Sequence, residues 1–248
     1  MARPGGEQPG GRGGQQRHAQ AQQPHLVAAE EGEIHPGMLA TRAGRCRTLG
    51  PMRVQIFSDI HSDLAALERN ASVDADLYLC AGDLCNWGRG LDACGEVLKP
   101  LGDKLWVMPG NHETGEQIEA FCRKFGFQNF HGVSFEKGGW HFAGLGYSSP
   151  TPFDTPGEFS EAELASRLEA FADLEPLALV CHAPPQGTPL DAAGPNAHFG
   201  SQAVREFVDR KQPAYLYCGH IHEAEGVSAR LGATQGRNVG KRGFLLEL

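Results

Sequence analysis

An apolar run of strand length that ends in Asp, His or Asn occurs five times between Arg53 and His222. The runs are RVQIFSDIH (53–61), DLYLCAGD (76–83), KLWVMPGNHE (104–113), LALVCHAPP (177–185) and AYLYCGHIH (214–222). A sixth, WHFAGLGY (140–147), ends without such a cluster. One short apolar run is ambiguous between strand and buried helix. Regular repetition with amphipathic segments between favours a layered α/β domain. Helices are expected over 62–70, 115–125 and 161–174, the last opened by Ser160 and Glu163 at capping-box spacing, and from Ser201 onward. Two long loops, 147–160 and 183–200, follow strands and are placed to overhang the strand ends.

Ligands of open α/β sheets bind just beyond the carboxyl ends of strands. Here those ends deliver Asp59 and His61, Asp83, Asn111 and His112, His182, and His220 with His222. Imidazole nitrogens mixed with carboxylate and amide oxygens, without thiolate, suit divalent first-row metals such as Mn, Fe, Zn, Co or Ni. One bridging carboxylate is an economical way to hold two cations about 3.5–4 Å apart. Any one of these motifs alone is weak, since a single His after an apolar run is usually structural. Five in order are hard to assign to chance.

The order DIH, GD, GNHE, H, GHIH resembles the calcineurin-like metallophosphoesterases over about residues 53–248. The resemblance implies a two-sheet β-sandwich flanked by helices and a dinuclear centre that hydrolyses phosphoesters. It makes Asp59, His61 and His222 ligands of one metal and Asn111, His182 and His220 ligands of the other. Asp83 becomes the bridge, and His112 approaches the scissile phosphate without holding a metal. A finer pattern, HAPPQGTPLD, HFGSQAVREFV and CGHIHEAEG, is similar to a subgroup of bacterial and archaeal phosphoesterases related to cyclic-nucleotide phosphodiesterases.

Departures from the family pattern sharpen this. The second motif reads GDLCNWGRG, so Asn86 stands where protein phosphatases carry the aspartate that pairs with the catalytic histidine. Asn86, Arg89 and His198 are candidate substrate contacts, the last because it precedes a helix N-terminus, which favours anions. Glu113 reads as a partner of the ligands, and His131 and His141 as structural or exposed. The basic cluster Arg237, Lys241 and Arg242 reads as a solvated turn. A nuclease and a non-catalytic protein-binding scaffold, like the retromer subunit of this superfamily, are the alternatives to a small-molecule phosphoesterase. A scaffold usually loses a ligand or the motif histidine, and none is missing.

Thirty acidic against 22 basic side chains give a net charge of −8. That balance argues against broad capture of nucleic acid or anionic membrane. No apolar run approaches the roughly 20 residues that span a bilayer, and the N-terminus lacks a secretory stretch. Seven cysteines without a CxxC pair, with Cys80, Cys181 and Cys218 inside apolar runs, read as reduced thiols of a cytoplasmic protein. Composition leaves the oligomeric state open. Residues 1–51, rich in Gly, Gln, Pro and Arg and containing His18, His25 and His35, read as a disordered tail or a mis-assigned start. The folded domain is expected at 52–248, and deletion of 1–51 is expected to leave fold, metal content and activity nearly unchanged.

Overall fold

The computed structural model describes residues 50–248; the tail, apart from Gly50 and Pro51, lies outside them. The strands are β1 (Arg53–Phe57), β2 (Leu77–Cys80), β3 (Leu105–Val107), β4 (Gln128–Asn129), β5 (Val133–Lys137), β6 (Trp140–Leu145) and β7 (Leu177–Cys181). They continue as β8 (Ala192–Gly194), β9 (Ala197–His198), β10 (Tyr215–Cys218), β11 (Ser228–Leu231), β12 (Thr234–Asn238) and β13 (Phe244–Glu247). The helices are α1 (Leu64–Ala71), α2 (Leu91–Leu98), α3 (Gly115–Phe125), α4 (Glu161–Leu168) and α5 (Gln202–Lys211).

One sheet has the order β13-β1-β2-β3-β4 and the other β11-β12-β10-β7-β6-β5, with β8 and β9 as a separate hairpin. Alternate residues of each strand serve different layers. Val54, Ile56, Leu77, Leu79, Ala178, Val180 and Tyr217 fill the space between the sheets. Tyr78, Cys80, Leu105 and Val107 face α1, α2 and α3 through Leu67, Leu98, Ile118 and Phe121. Leu179, Cys181, Leu216 and Cys218 face α4 and α5 through Leu164, Leu168, Val204 and Phe207. Strands buried on both faces need unbroken apolar runs, the pattern the sequence shows. The expected two-sheet sandwich flanked by helices is the observed fold.

β1, β2 and β3 are parallel to one another, as are β6, β7 and β10. Parallel pairing brings the carboxyl ends of neighbours to one edge, so each sheet collects its polar termini at one place. α3 occupies the expected 115–125 and is opened by Thr114, whose hydroxyl accepts from Gln117 N while Gln117 reaches back. α4 has the expected Ser160–Glu163 box, but its α-helical part stops at Leu168 and a 3₁₀ turn carries the chain to Phe171. Leu174-Glu175-Pro176 follows, and a proline cannot extend the helix. α2 escaped the sequence reading because it starts at Gly90, with φ of 95° and no side-chain cap. The loop 183–200 also departs from expectation, holding a 3₁₀ turn at Pro189–Asp191 and the β8–β9 hairpin. Cys80, Cys85, Cys94, Cys122, Cys181 and Cys218 are buried and unpaired. No helix among the described residues is long and apolar enough to cross a membrane.

Candidate metal centre

Just beyond the strands the backbone turns sharply. Asp59, His61, Asp83 and His220 all have positive φ, between 45° and 68°. For non-glycine residues this costs on the order of 1–3 kcal/mol each. Cross-loop hydrogen bonds hold it: Asp59 N donates to Gly82 O at 3.1 Å and His61 N to Asp83 O at 3.0 Å. His220 N donates to the Asp59 carboxylate at 3.0 Å. Glycines before the ligands permit the close approach. A Cβ on Gly110 would sit 2.0 Å from Asp83 Oδ1, and one on Gly219 2.2 Å from Asp59 Oδ2.

The side chains converge as acceptors. His182 Nδ1 donates to the Ala81 carbonyl at 2.8 Å, which leaves the Nε2 lone pair facing Asn111 Oδ1 at 3.0 Å and Asp83 Oδ2 at 3.4 Å. His220 Nδ1 is 2.9 Å from the same Asn111 oxygen. His61 Nδ1 lies 2.9 Å from Asn86 Oδ1, and its Nε2 is 3.0 Å from His222 Nε2 and 3.6 Å from Asp83 Oδ2. His222 Nε2 is 3.6 Å from Asp59 Oδ1. Lone pairs aimed at lone pairs repel unless a proton or a cation stands between them. The residues therefore fit divalent metal. Asp59, His61 and His222 bring ligand atoms within 4.8 Å of one another, as do Asp59, Asp83 and His182, and His61, Asp83 and His112.

Electrostatics point the same way. Burial opposes charge on Asp83, yet His182, His61 and the His112 amide hold its carboxyl well below the usual carboxylate range. Burial likewise opposes charge on Asp59, and His222 and His182 overcome it. For His182 burial disfavours the cation, but Asp83 and Asp59 lift it to about 9. Without metal, a proton on His182 thus sits where two buried carboxylates demand positive charge. His220, half-buried, is pushed down to about 4 by loss of solvent and by the neighbouring His182. Glu113 is fully buried, and burial with the neighbouring Asp83 pushes it up to about 7. Its carboxylate accepts from Asp83 N (3.1 Å), Cys85 N (2.9 Å) and Gly110 N (3.0 Å), tying the second and third strand ends together.

Two clefts open onto the centre and share His61, His112 and His222. One, of about 560 Å³, is walled by Ser149–Phe153 and by Gln186 and His198–Gly200, from the two long loops. The other, of about 510 Å³, is lined by Asp63, Asn86, Glu225 and Lys241. His112 N donates to Asp83 Oδ1 at 2.9 Å, and its Nδ1 accepts from Trp87 N at 3.3 Å. The three candidate substrate contacts are placed differently. Asn86 faces His61 instead of His112, bonding both its ring and its carbonyl, so it orients a ligand. Arg89 is exposed, lines neither cleft, and bonds through its backbone to Asn86 O at 3.0 Å. His198 does line the larger cleft, held 2.7 Å from Asp191. The α5 N-terminus behind it is already neutralised, because Glu161 accepts from Ser201 Oγ, Gln202 N and Ala203 N.

The sequence reading missed the supports. Thr155 Oγ1 accepts from Asn111 Nδ2 at 3.2 Å, which turns Asn111 Oδ1 toward His182 and His220. Glu158 in turn accepts from Thr155 N at 2.9 Å and from Thr151 Oγ1 at 2.6 Å. Asp191, fully buried, accepts from Gly187 N, Thr188 N and Gly200 N. Phe153 and Phe199, 73% and 61% exposed, stand in the larger cleft. A large apolar residue inside a polar loop was the one available signal for them.

The chain is 30% identical over 190 residues to an uncharacterized protein of Methanocaldococcus jannaschii, covering 74% of this chain and 85% of that one. In fold it is similar to a phosphopantetheinyl hydrolase of Mycobacterium tuberculosis (TM-score 0.55, 16% identity, 77% of this chain and 89% of the other). It is also similar to a dimetal phosphatase of Danio rerio (TM-score 0.53, 11% identity, 76% and 87%). Residues 52–224 match the model of the calcineurin-like phosphoesterases. With the sandwich and the strand-end ligand cluster in agreement, the chain belongs to the calcineurin-like phosphoesterase family.

Proposed function

We propose that the chain hydrolyses a small phosphoester at a dinuclear centre held by Asp59, His61 and His222 on one side and Asn111, His182 and His220 on the other, with Asp83 between. The supporting observation is that one oxygen, Asp83 Oδ2, faces both halves, 3.6 Å from His61 Nε2 and 3.4 Å from His182 Nε2. Bound there, two cations of the Mn, Fe, Zn, Co or Ni type supply a water made acidic near neutral pH and neutralise phosphoryl oxygens. In the reaction a water oxygen bonds to phosphorus, the bond to the leaving oxygen breaks, and that oxygen takes up a proton. The proton is the one the attacking water releases, passed on through solvent, and His112 steadies the leaving oxygen by hydrogen bond: its Nδ1 accepts from Trp87 N, so the neutral ring carries its own proton on Nε2, free to face a leaving group. Asn86 and Ala81 fix His61 and His182, and Thr155 fixes Asn111, so that lone pairs converge before any substrate arrives.

The test is reconstitution. The full chain is stripped with chelator, reloaded with each metal in turn, and assayed on p-nitrophenyl esters alongside elemental analysis. Turnover that returns with two bound metals per chain supports the reading. Two bound metals without turnover of any ester would favour the scaffold.

A further inference from the structure

We infer that the substrate is a phosphodiester with unlike arms, one apolar group seated on Phe153 and Phe199 and one polar group in the cleft on the other side of His112. This rests on the phosphoesterase reading above. The two clefts meet at His61, His112 and His222, so a phosphorus at the metals has a chamber on each side. A monoester would leave one chamber without a task. The chambers differ in character. The larger has Pro150, Pro152, Phe153, Phe199 and Ile221 in its wall and no Lys or Arg. Its Glu161 is occupied by the α5 N-terminus. An arm bearing a further phosphate or a carboxylate would find no Lys or Arg to pair with there, whereas an aryl or alkyl arm would cover two exposed phenyl rings. The smaller chamber has Asp63, Asn86, Glu225 and Lys241, with Lys241 Nζ 3.5 Å from Asp63, and suits a hydroxylated or amide-bearing arm.

The wall is built rather than incidental. The segment carrying Phe153 is held through Glu158 and Thr155 to the ligand Asn111, and Asp191 ties His198 and Gly200, the residues on either side of Phe199. Both rings are therefore displayed on supports that reach the fold. Each is nonetheless exposed, so replacement leaves the core untouched.

The holoenzyme should turn over methyl p-nitrophenyl phosphate and bis(p-nitrophenyl) phosphate at least about tenfold more efficiently, in kcat/KM, than p-nitrophenyl phosphate. The bis-aryl ester should be favoured over the methyl ester through KM. By calorimetry, diphenyl phosphate should bind Phe153→Ala and Phe199→Ala about tenfold more weakly than wild type, with metal content and melting temperature retained. Preference for the monoester would overturn the diester inference while leaving the phosphoesterase reading intact. Unchanged diphenyl phosphate binding in both variants would overturn the apolar seat. Absence of turnover for all three esters at full metal loading would overturn the underlying reading.

Discussion

The floor of the site and its rim are built by opposite means. The floor is a set of strand termini: Asp59, Asp83, Asn111 and His182 are at most 6% exposed, and the backbone is bent into a costly conformation that parallel neighbours hold in place. The rim is two loops whose rings, Phe153 and Phe199, face solvent. Beside the short β8–β9 hairpin of the second loop, what orders the rim is one acceptor carboxylate per loop, Glu158 in the first and Asp191 in the second. The floor thus has its chemistry fixed by the fold, while the rim can change its apolar residues without disturbing the core. Such a division lets one scaffold keep its reaction and vary its substrate.

The largest effect is expected where the floor's two halves meet. Asp83→Asn removes the charge facing both sides, so metal content and turnover should fall together, turnover to background. Elemental analysis finding two tightly held metals in this variant would break the assignment. His112→Ala comes next. Metals should stay, and kcat should fall roughly 10²–10⁴-fold for an alkoxide leaving group and less for nitrophenolate. Equal loss across a leaving-group series would remove the leaving-group role. Thr155→Val asks whether rim and floor are separable. Without its hydroxyl, Asn111 loses the partner that orients it, and affinity for the second metal should drop about 10–100-fold. Chelator competition showing no change would mean the rim does not reach the ligands.

The smallest effect concerns the foot of the first loop. His131 packs against Tyr147 and Phe159, and its Nδ1 accepts from Gly146 N at 3.2 Å. Burial, with Arg167 nearby, pushes it down to about 4. Below its ordinary value of 6.5 the unfolded chain takes up a proton that the folded chain refuses. Its contribution is therefore complete above pH 6.5 and is lost as pH falls toward 4, by at most about 3 kcal/mol at 1.36 kcal/mol per pH unit. Denaturant titrations of wild type and His131→Gln across this range should show a flatter acid limb in the variant. Parallel limbs would mean the imidazole titrates freely.

The sequence by itself carried the floor. Strands buried on both faces must be apolar throughout, so their ends stand out as the places where Asp, His and Asn begin, and the residues that converge at the site were legible from that contrast. The helix capped at Ser160 was legible for the same local reason, and α2, starting at an uncapped glycine, was not. Tertiary structure alone decided partnership. Asn86 lies 25 residues from His61, and its neighbour Trp87 lies 25 residues from His112, and nothing local says which ring Asn86 meets. Thr155 and Asn111 are 44 residues apart, and Glu161 and Ser201 are 40 apart. Such bonds depend on how loops settle over finished sheets. A backbone pattern repeats with a period that sequence displays, whereas a single hydrogen bond between distant loops leaves no periodic trace.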